Sequence, residues 1–313
     1  MQNAGWRLNH ILLLEQALNG LQFGLMLFLL AAGLTLVFGI MDMINLAHGS
    51  LYMVGAYLIA SITAATGNYW WGLMFGVMGA AAFGALLELC ILRRFYQRDH
   101  LSQVLGTFAI LLICNEGVRL IWGSQPVALS TPASLSGPVE IFSGFYYASF
   151  SLFIIGVGLL VALLMYWVIT RTRLGMQVRA GAANREMAMA MGVDVQKLFT
   201  AVFAAGAALC GVAGGMLGPV MAVQVGMGES ILIVAFVVIV IGGIGSIRGA
   251  FLGALFVGII DTAGRTFMPM LFAQLMSPEA AANAAPAVAS VLIYLLMATV
   301  LFFKPRGLFP THG

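Results

Sequence analysis

The amino-acid sequence predicts an all-α integral membrane protein, a bundle of about eight or nine transmembrane helices with broken helices in each half. Three observations carry that prediction. Of 313 residues, 62% are hydrophobic and only 8% charged, where a soluble domain carries about 25% charge. One core cannot hide so much apolar surface, so lipid is the solvent. The apolar residues fall in runs long enough to cross about 30 Å of hydrocarbon. The few cations gather in some connecting segments and are missing from others, as the positive-inside rule requires.

The polar start, Met1 to Gln16, leads into an apolar run too long for the core of a cleavable signal, so none is expected. Candidate spans follow in order at Leu18–Ile40, Ser50–Thr66, Trp70–Leu92, Val104–Trp122 and Tyr146–Thr170. The second half adds Leu198–Val223, Ser230–Ile247, Ala250–Leu275 and Ala287–Phe303. Ser50–Thr66 is short and Ala250–Leu275 contains Asp261 and Arg265, which is why the count stays at eight or nine. The whole chain, 1–313, reads as one transmembrane domain with no soluble domain attached.

Orientation comes from the basic residues. Arg93, Arg94 and Arg98 fill one connection; Arg171, Arg173, Arg179, Arg185 and Lys197 fill the segment 171–197; Lys304 and Arg306 follow the last span. The connection 123–145, rich in Pro, Ser and Gly, has no Lys or Arg, and neither does Ser277–Pro286. Basic segments, Arg248 among them, are placed in the cytoplasm and bare ones outside, so the C-terminus lies inside and the N-terminus outside. The N-terminal side depends on whether Asp42–His48 crosses or re-enters.

Many of the 38 glycines recur four residues apart within spans, as in Gly72/Gly76, Gly211/Gly215, Gly214/Gly218, Gly245/Gly249 and Gly249/Gly253. Small residues one turn apart let helix backbones approach, chiefly within the bundle. Glu116 with Arg119 and Asp261 with Arg265 sit three and four residues apart, a spacing that pairs opposite charges on one helix face. Glu88 is expected to pair with Arg93 or Arg94. Cys90, Cys114 and Cys210 lack metal-ligand spacing and read as small buried hydrophobes; no metal site is expected.

Two stretches interrupt the apolar pattern: Met41–Ser50, with Asp42, Asn45, His48, Gly49 and Ser50, and Val225–Ser230, with Gly226, Gly228, Glu229 and Ser230. Irregular backbone at membrane depth is tolerated where it faces protein or a water-filled cavity, and paired interruptions in two halves point to a transport pathway. Ser50 and Ser230 are expected to cap the helices that follow, whose N-terminal N–H groups would suit a carboxylate. Asn45, His48, Gly49, Ser50, Gly228, Glu229 and Ser230 are therefore the candidate translocation-pathway residues. The plainer alternative has His48 bonding a nearby carbonyl, with Asp42 and Glu229 at headgroup level.

The segment Thr172–Asp194 carries the most specific local pattern. Asn184 is a good N-cap, Glu186 complements a helix start, Met187–Met191 form one short helical stretch and Gly192 stands where a left-handed terminator belongs. A short Met- and Ala-rich helix across the cytoplasmic face suits a groove on a partner protein; resting on headgroups is the other option. With Gly175, Arg179, Ala180, Ala188 and Gly192, this stretch resembles the EAA-type coupling loop of ABC importer permeases, although it reads Ala-Asn-Arg-Glu-Met-Ala in place of a literal Glu-Ala-Ala.

More closely, the chain is similar to the branched-chain amino-acid permease family, in the shorter of its two permease types. The carriers are Gly33-Leu34-Thr35-Leu36-Val37-Phe38-Gly39-Ile40, Ile44-Asn45-Leu46-Ala47-His48-Gly49-Ser50 and Gly55-Ala56-Tyr57. The run Val240–Ala250 and the terminal Lys304-Pro305-Arg306-Gly307-Leu308-Phe309 add to them, so the likeness spans roughly Leu18 to Phe309. That resemblance implies import of branched-chain or related amino acids, or another small polar solute, by alternating access. It implies two cytoplasmic ATPase subunits, a second permease subunit (a paralogue favoured over a second copy) and a periplasmic substrate-binding protein, all in a bacterial inner membrane. It also implies that Gly175, Arg179, Ala180, Asn184, Arg185, Glu186, Ala188, Met189 and Gly192 couple to the ATPase.

The sequence excludes much else. No phosphate-binding Gly-x-x-x-x-Gly-Lys-Ser/Thr loop exists, since the lysines are Lys197 and Lys304 and neither follows glycine; the chain is not expected to be an enzyme, and ATP, the only cofactor in view, belongs on partner subunits. No Gly-x-Ser-x-Gly elbow is present and His48 is the one histidine in the apolar region, so no catalytic residue is assigned. A net charge of +3 gives no footprint for nucleic acid. An ion-coupled secondary transporter or channel is the rival reading. It would need a deep coupling carboxylate, where the chain offers Asp261 already matched by Arg265.

Overall fold

The computed structural model describes residues 2–41, 43–142 and 144–309, with side chains from residue 11 onward, 278 excepted. Met1 and Asp42 therefore lie outside the described residues. The chain is helical almost throughout, and its helices track the apolar runs. α1 (Gln2–Met41) joins the polar start and the first span in one 40-residue helix. α2 (His48–Thr66), α3 (Tyr69–Cys90), α4 (His100–Trp122) and α5 (Ser149–Arg171) complete the first half. α6 (Arg173–Ala183) and α7 (Arg185–Ala190) are short, and α8 (Val195–Met221), α9 (Met227–Gly242), α10 (Ile247–Phe272) and α11 (Pro278–Phe303) follow. Among the described residues eight helices are long and apolar enough to span a bilayer, and α9, at 16 residues, is a ninth, shorter one.

Polar caps set most starts. Asn68 accepts from the Trp70 N–H at 2.9 Å, Asp99 from Ser102 at 3.1 Å, Asp194 from Lys197 at 3.1 Å and Ser246 from Gly249 at 3.1 Å, each satisfying an N–H that the helix leaves orphaned. The connection 123–145, which the sequence leaves without structure of its own, holds part of an antiparallel hairpin, β1 (Pro138–Phe142) with β2 (Phe145–Ala148). Val139 and Ile141 flanking Glu140 are a brief period-two signal for it.

Burial orders the bundle. In α1, 83% of the most apolar window is buried, against 11% in α11. α1 is thus the centre of the bundle and α11 the least covered of its long helices. α8 packs on α1, α2 and α3, while α10 packs on α1, α9 and α11. The glycine spacing works inside the bundle: a methyl group added at Gly76 would press on the Ile59 backbone of α2, and one at Gly214 would meet the Tyr52 carbonyl oxygen at 2.8 Å. The charged pairs form as their spacing predicts, Arg119–Glu116 at 3.1 Å and Arg265–Asp261 at 2.8 Å. Glu88 is fully buried and pairs with Arg93 rather than Arg94. It takes Arg93 Nε at 3.3 Å, the Tyr96 hydroxyl at 2.7 Å and the Thr200 hydroxyl at 2.7 Å. Burial, then the hydrogen bond to Glu88, push the Tyr96 phenol up. The cysteines meet expectation only in part: Cys210 is buried, Cys114 is half-buried, and Cys90 is exposed on the side of α3 that also exposes Leu86 and Leu89.

Candidate functional site

The two interruptions meet. After α1 ends, residues 43–47 double back along it and α2 begins at His48, whose Nε2 lies 3.2 Å from the carbonyl oxygen of Leu30, well inside the first span. The segment therefore re-enters. α9 starts beside the same place. A methyl group on Gly49 would land on the carbonyl of Gly228, and one on Gly228 would land on the carbonyl of Gly49. Two helix N-termini thus abut through two glycines, within the bundle, with no room between them for a side chain.

Neither helix starts where the sequence puts its cap. α2 begins before Ser50, with Ala47 at the N-cap; the Asn45 side chain accepts the Ala47 N–H at 3.0 Å and closes the turn instead. α9 begins before Ser230, from Gly226, whose φ of 83° is a left-handed conformation that a serine would enter only under strain. Ser50 and Ser230 lie within the first helical turns.

Burial divides the pathway candidates. Asn45 and His48 are fully buried and Ser50 nearly so. His48 Nε2 also lies 3.1 Å from the Cys210 thiol of α8, and neither His48 Nδ1 nor Asn45 Nδ2 has a hydrogen-bond partner among the described residues. Glu229 and Ser230 face outward. The Glu229 carboxylate stands in the first turn of α9, where the helix dipole favours an anion, and accepts a hydrogen bond from the Asn115 amide of α4.

Asn115 is one of a set that sequence reasoning missed. The Thr107 hydroxyl accepts the Leu46 N–H at 3.2 Å, and Gln103 donates to the carbonyls of Phe95 and Arg98. Gln103, Thr107, Leu111 and Asn115 are all buried on one face of α4. Their four-residue spacing is the signal that would have found them: a polar stripe on a membrane helix must face protein.

The coupling candidates form a corner on the face that carries the basic segments. α6 leaves α5 through Thr172, which accepts the Gly175 N–H at 3.2 Å; a methyl group on Gly175 would strike the carbonyls of Val168 and Ile169. Asn184 caps α7, accepting from Met187 at 2.9 Å, and Glu186 lies in its first turn. Gly192, at φ 86°, ends it: its N–H reaches the Met189 carbonyl and the Val193 N–H the Ala188 carbonyl, both at 3.0 Å. This is the paired 5→2 and 6→1 closure that a left-handed residue allows.

Gly175 and Ala188 are buried, whereas Arg179, Ala180, Asn184, Glu186, Met189 and Gly192 are exposed. Arg185 points inward. It donates to the carbonyls of Ile40 and Met41 at 3.2 and 3.0 Å and covers the Phe199 ring at 4.8 Å, fastening α7 to the ends of α1 and α8. Met187 and Met191, outside the named candidates, are 61% and 79% exposed and share the outer surface with Met189. A polar cleft of about 570 Å³ opens beside them, lined in part by Arg98, His100, Asn184 and Glu186. Among the described residues no group of three or more His, Cys, Asp or Glu side chains could hold a metal ion.

Comparison with known proteins covers nearly the whole chain. Residues 16–301 match the family described as the permease component of the branched-chain amino acid transport system. The chain is 30% identical over 307 residues to the high-affinity branched-chain amino acid transport system permease protein BraD of Pseudomonas aeruginosa, covering 94% of this chain and 95% of that one. It is 31% identical to the corresponding protein LivH of Escherichia coli K12, over 84% of this chain and 90% of that one. Against LivM of the same organism, also a permease protein of that system, identity is 26% over 90% of this chain and 67% of LivM.

Proposed function

The chain belongs to the family of branched-chain amino acid transport permease components, and from that premise we propose that it is the membrane permease of an ATP-driven importer of branched-chain or related amino acids. The observation that carries the mechanism is a continuous connection from an exposed cytoplasmic helix to the buried heads of α2 and α9. α7 presents Glu186, Met187, Met189 and Met191 outward, a flexible, polarizable surface suited to a groove on an ATPase. Its backbone continues through the Gly192 turn into α8, and Arg185 ties it to the end of α1. α8 in turn meets His48 through Cys210, and the head of α2 meets the head of α9 at Gly49 and Gly228. Movement of α7 by a closing ATPase dimer would thereby shift α8 against α1 and reset the contact between the two heads.

On this reading Gly175 and Gly192 shape the coupling corner, Asn184 caps it, Arg185 and Ala188 anchor it, and Arg179, Ala180, Glu186 and Met189 meet the ATPase. Asn45, His48, Gly49 and Ser50 form the inner wall of the pathway, while Gly228, Glu229 and Ser230 lead from it to the exposed face. ATP itself binds on two partner subunits. The likeness of one chain to both LivH and LivM of a single organism supports a second, paralogous permease as the other half of the pore. Substrate arrives from a periplasmic binding protein at the face bearing the hairpin. The C-terminus is cytoplasmic, since Lys304 and Arg306 share a side with the basic corner.

Affinity purification from mild detergent through a C-terminal tag tests the reading. An ATPase should copurify, and be lost with Glu186→Arg and Met189→Asp together. Uptake of labelled leucine into proteoliposomes should require that ATPase and internal ATP. Purification without any ATPase, with uptake driven by an ion gradient alone, would establish an ion-coupled carrier instead.

A further inference from the structure

α5 and α10 both pack on α1. Between them opens a crevice of about 640 Å³, floored by Phe28 of α1 and walled by Leu159 and Leu163 of α5 and Phe251 and Leu252 of α10. Toward the opposite face Leu25 and Ile155 belong to one apolar cluster, against which Leu255 packs. Its lining is apolar except at the mouth. There the guanidinium of Arg248 lies 5.5 Å from the centre of the Tyr166 ring, and the chain after α11 adds Phe309, held by its N–H on the Gly242 carbonyl at 2.9 Å. That strap brings Arg306 to the same end, its carbonyl oxygen against Gly243.

We propose that this crevice binds one anionic phospholipid of the cytoplasmic leaflet, with its phosphate on Arg248 and an acyl chain along Leu159, Leu163 and Phe251. Three features select that occupant. Arg248 is exposed and, like Arg94, Arg171 and Arg306, has no carboxylate partner among the described residues; of these four it is the one that lines the crevice. Arg248 is the second residue of α10, at the headgroup level of a spanning helix, where one cation attracts an anionic lipid by about 1 kcal/mol. The stretch from Arg248 to Leu255 covers about 10 Å at 1.5 Å per residue, within the roughly 15 Å depth of one leaflet.

Native mass spectrometry of the full-length protein, delipidated in mild detergent and titrated with phosphatidylglycerol and phosphatidylcholine of identical chains, tests this. One phosphatidylglycerol should be retained in preference to phosphatidylcholine. Arg248→Gln should weaken its binding about fivefold, to the level of phosphatidylcholine. Arg94→Gln, an exposed cation elsewhere on the same face, should change nothing. Leu163→Trp, at a position 65% exposed and so outside the core, should fill the crevice and lower retention of both lipids, which keeps the test open if Arg248→Gln does not fold. Equal retention of the two lipids, or indifference to both variants, would overturn the assignment. So would crosslinking of Leu163→Cys to a copurified permease, which would make the crevice a subunit interface.

Discussion

At Gly49 and Gly228 one methyl group is enough to separate the heads of α2 and α9, because each Cβ would occupy the other residue's carbonyl. Gly49→Ala or Gly228→Ala should cost about 1–3 kcal/mol by overpacking, read as a lower thermal midpoint in detergent, with uptake reduced at matched expression. Wild-type uptake and an unchanged midpoint would mean the working protein does not close this contact. The buried Glu88 presents a different case. It accepts from Arg93, Tyr96 and Thr200, joining α3, the following turn and α8. Removing one partner of a buried charged network is worth about 3–5 kcal/mol, so Glu88→Ala should unfold near the growth temperature, while Glu88→Gln should keep part of the network and express. Spacing along the chain made Glu88–Arg93 legible. The contact of Gly49 with Gly228 was not, because nothing local relates positions so far apart.

α7 has six residues and no propensity-driven stability of its own, so its ends decide whether it forms. Asn184→Ala removes the N-cap, at about 1 kcal/mol, and Gly192→Ala forces a side chain into a left-handed conformation at a similar cost. Either should raise hydrogen exchange across Arg185–Ala190 and reduce ATPase recovery, leaving the spans protected; unchanged exchange would show that the partner, and not the caps, orders this helix. The neighbouring start of α8 responds to pH. Hydrogen bonds from the Lys197 backbone N–H and then from its side chain hold Asp194 below the ordinary carboxylate value of 3.8. Its folded pKa is depressed, so the cap's contribution is complete above about pH 4 and disappears as pH falls through the lower folded value. Exchange at the first turn of α8 should stay constant from pH 7 to pH 5, once intrinsic rates are divided out, and rise only in stronger acid.

Across the molecule, eight helices are long and apolar enough to span and α9 is a shorter ninth; counted as nine crossings, they put the basic segments on one face. Cysteines introduced at Ser136 and at Arg306 in a cysteine-free background should separate on this scheme. The first should react with an impermeant maleimide in intact cells, the second only after permeabilisation; the reverse pattern would invert the topology. The same scheme places the Arg248 crevice, the α6–α7 corner and the polar cleft beside it at one face, and the hairpin at the other.

Composition, run length and charge distribution were enough to specify a multi-span membrane helix bundle, its basic face, the capped helix at Asn184–Gly192 and the paired interruptions. These are local quantities: hydrocarbon thickness sets the run, the headgroup field sets the side, and capping needs only a few consecutive residues. Tertiary structure alone decided that the interruptions abut, that Arg185 faces the bundle while Glu229 faces out, and that the polar stripe of α4 supports both breaks. In a chain this uniformly apolar, hydrophobicity cannot tell one helix face from another. Which faces meet is settled by close packing of small residues and by the few polar groups that must find partners away from water.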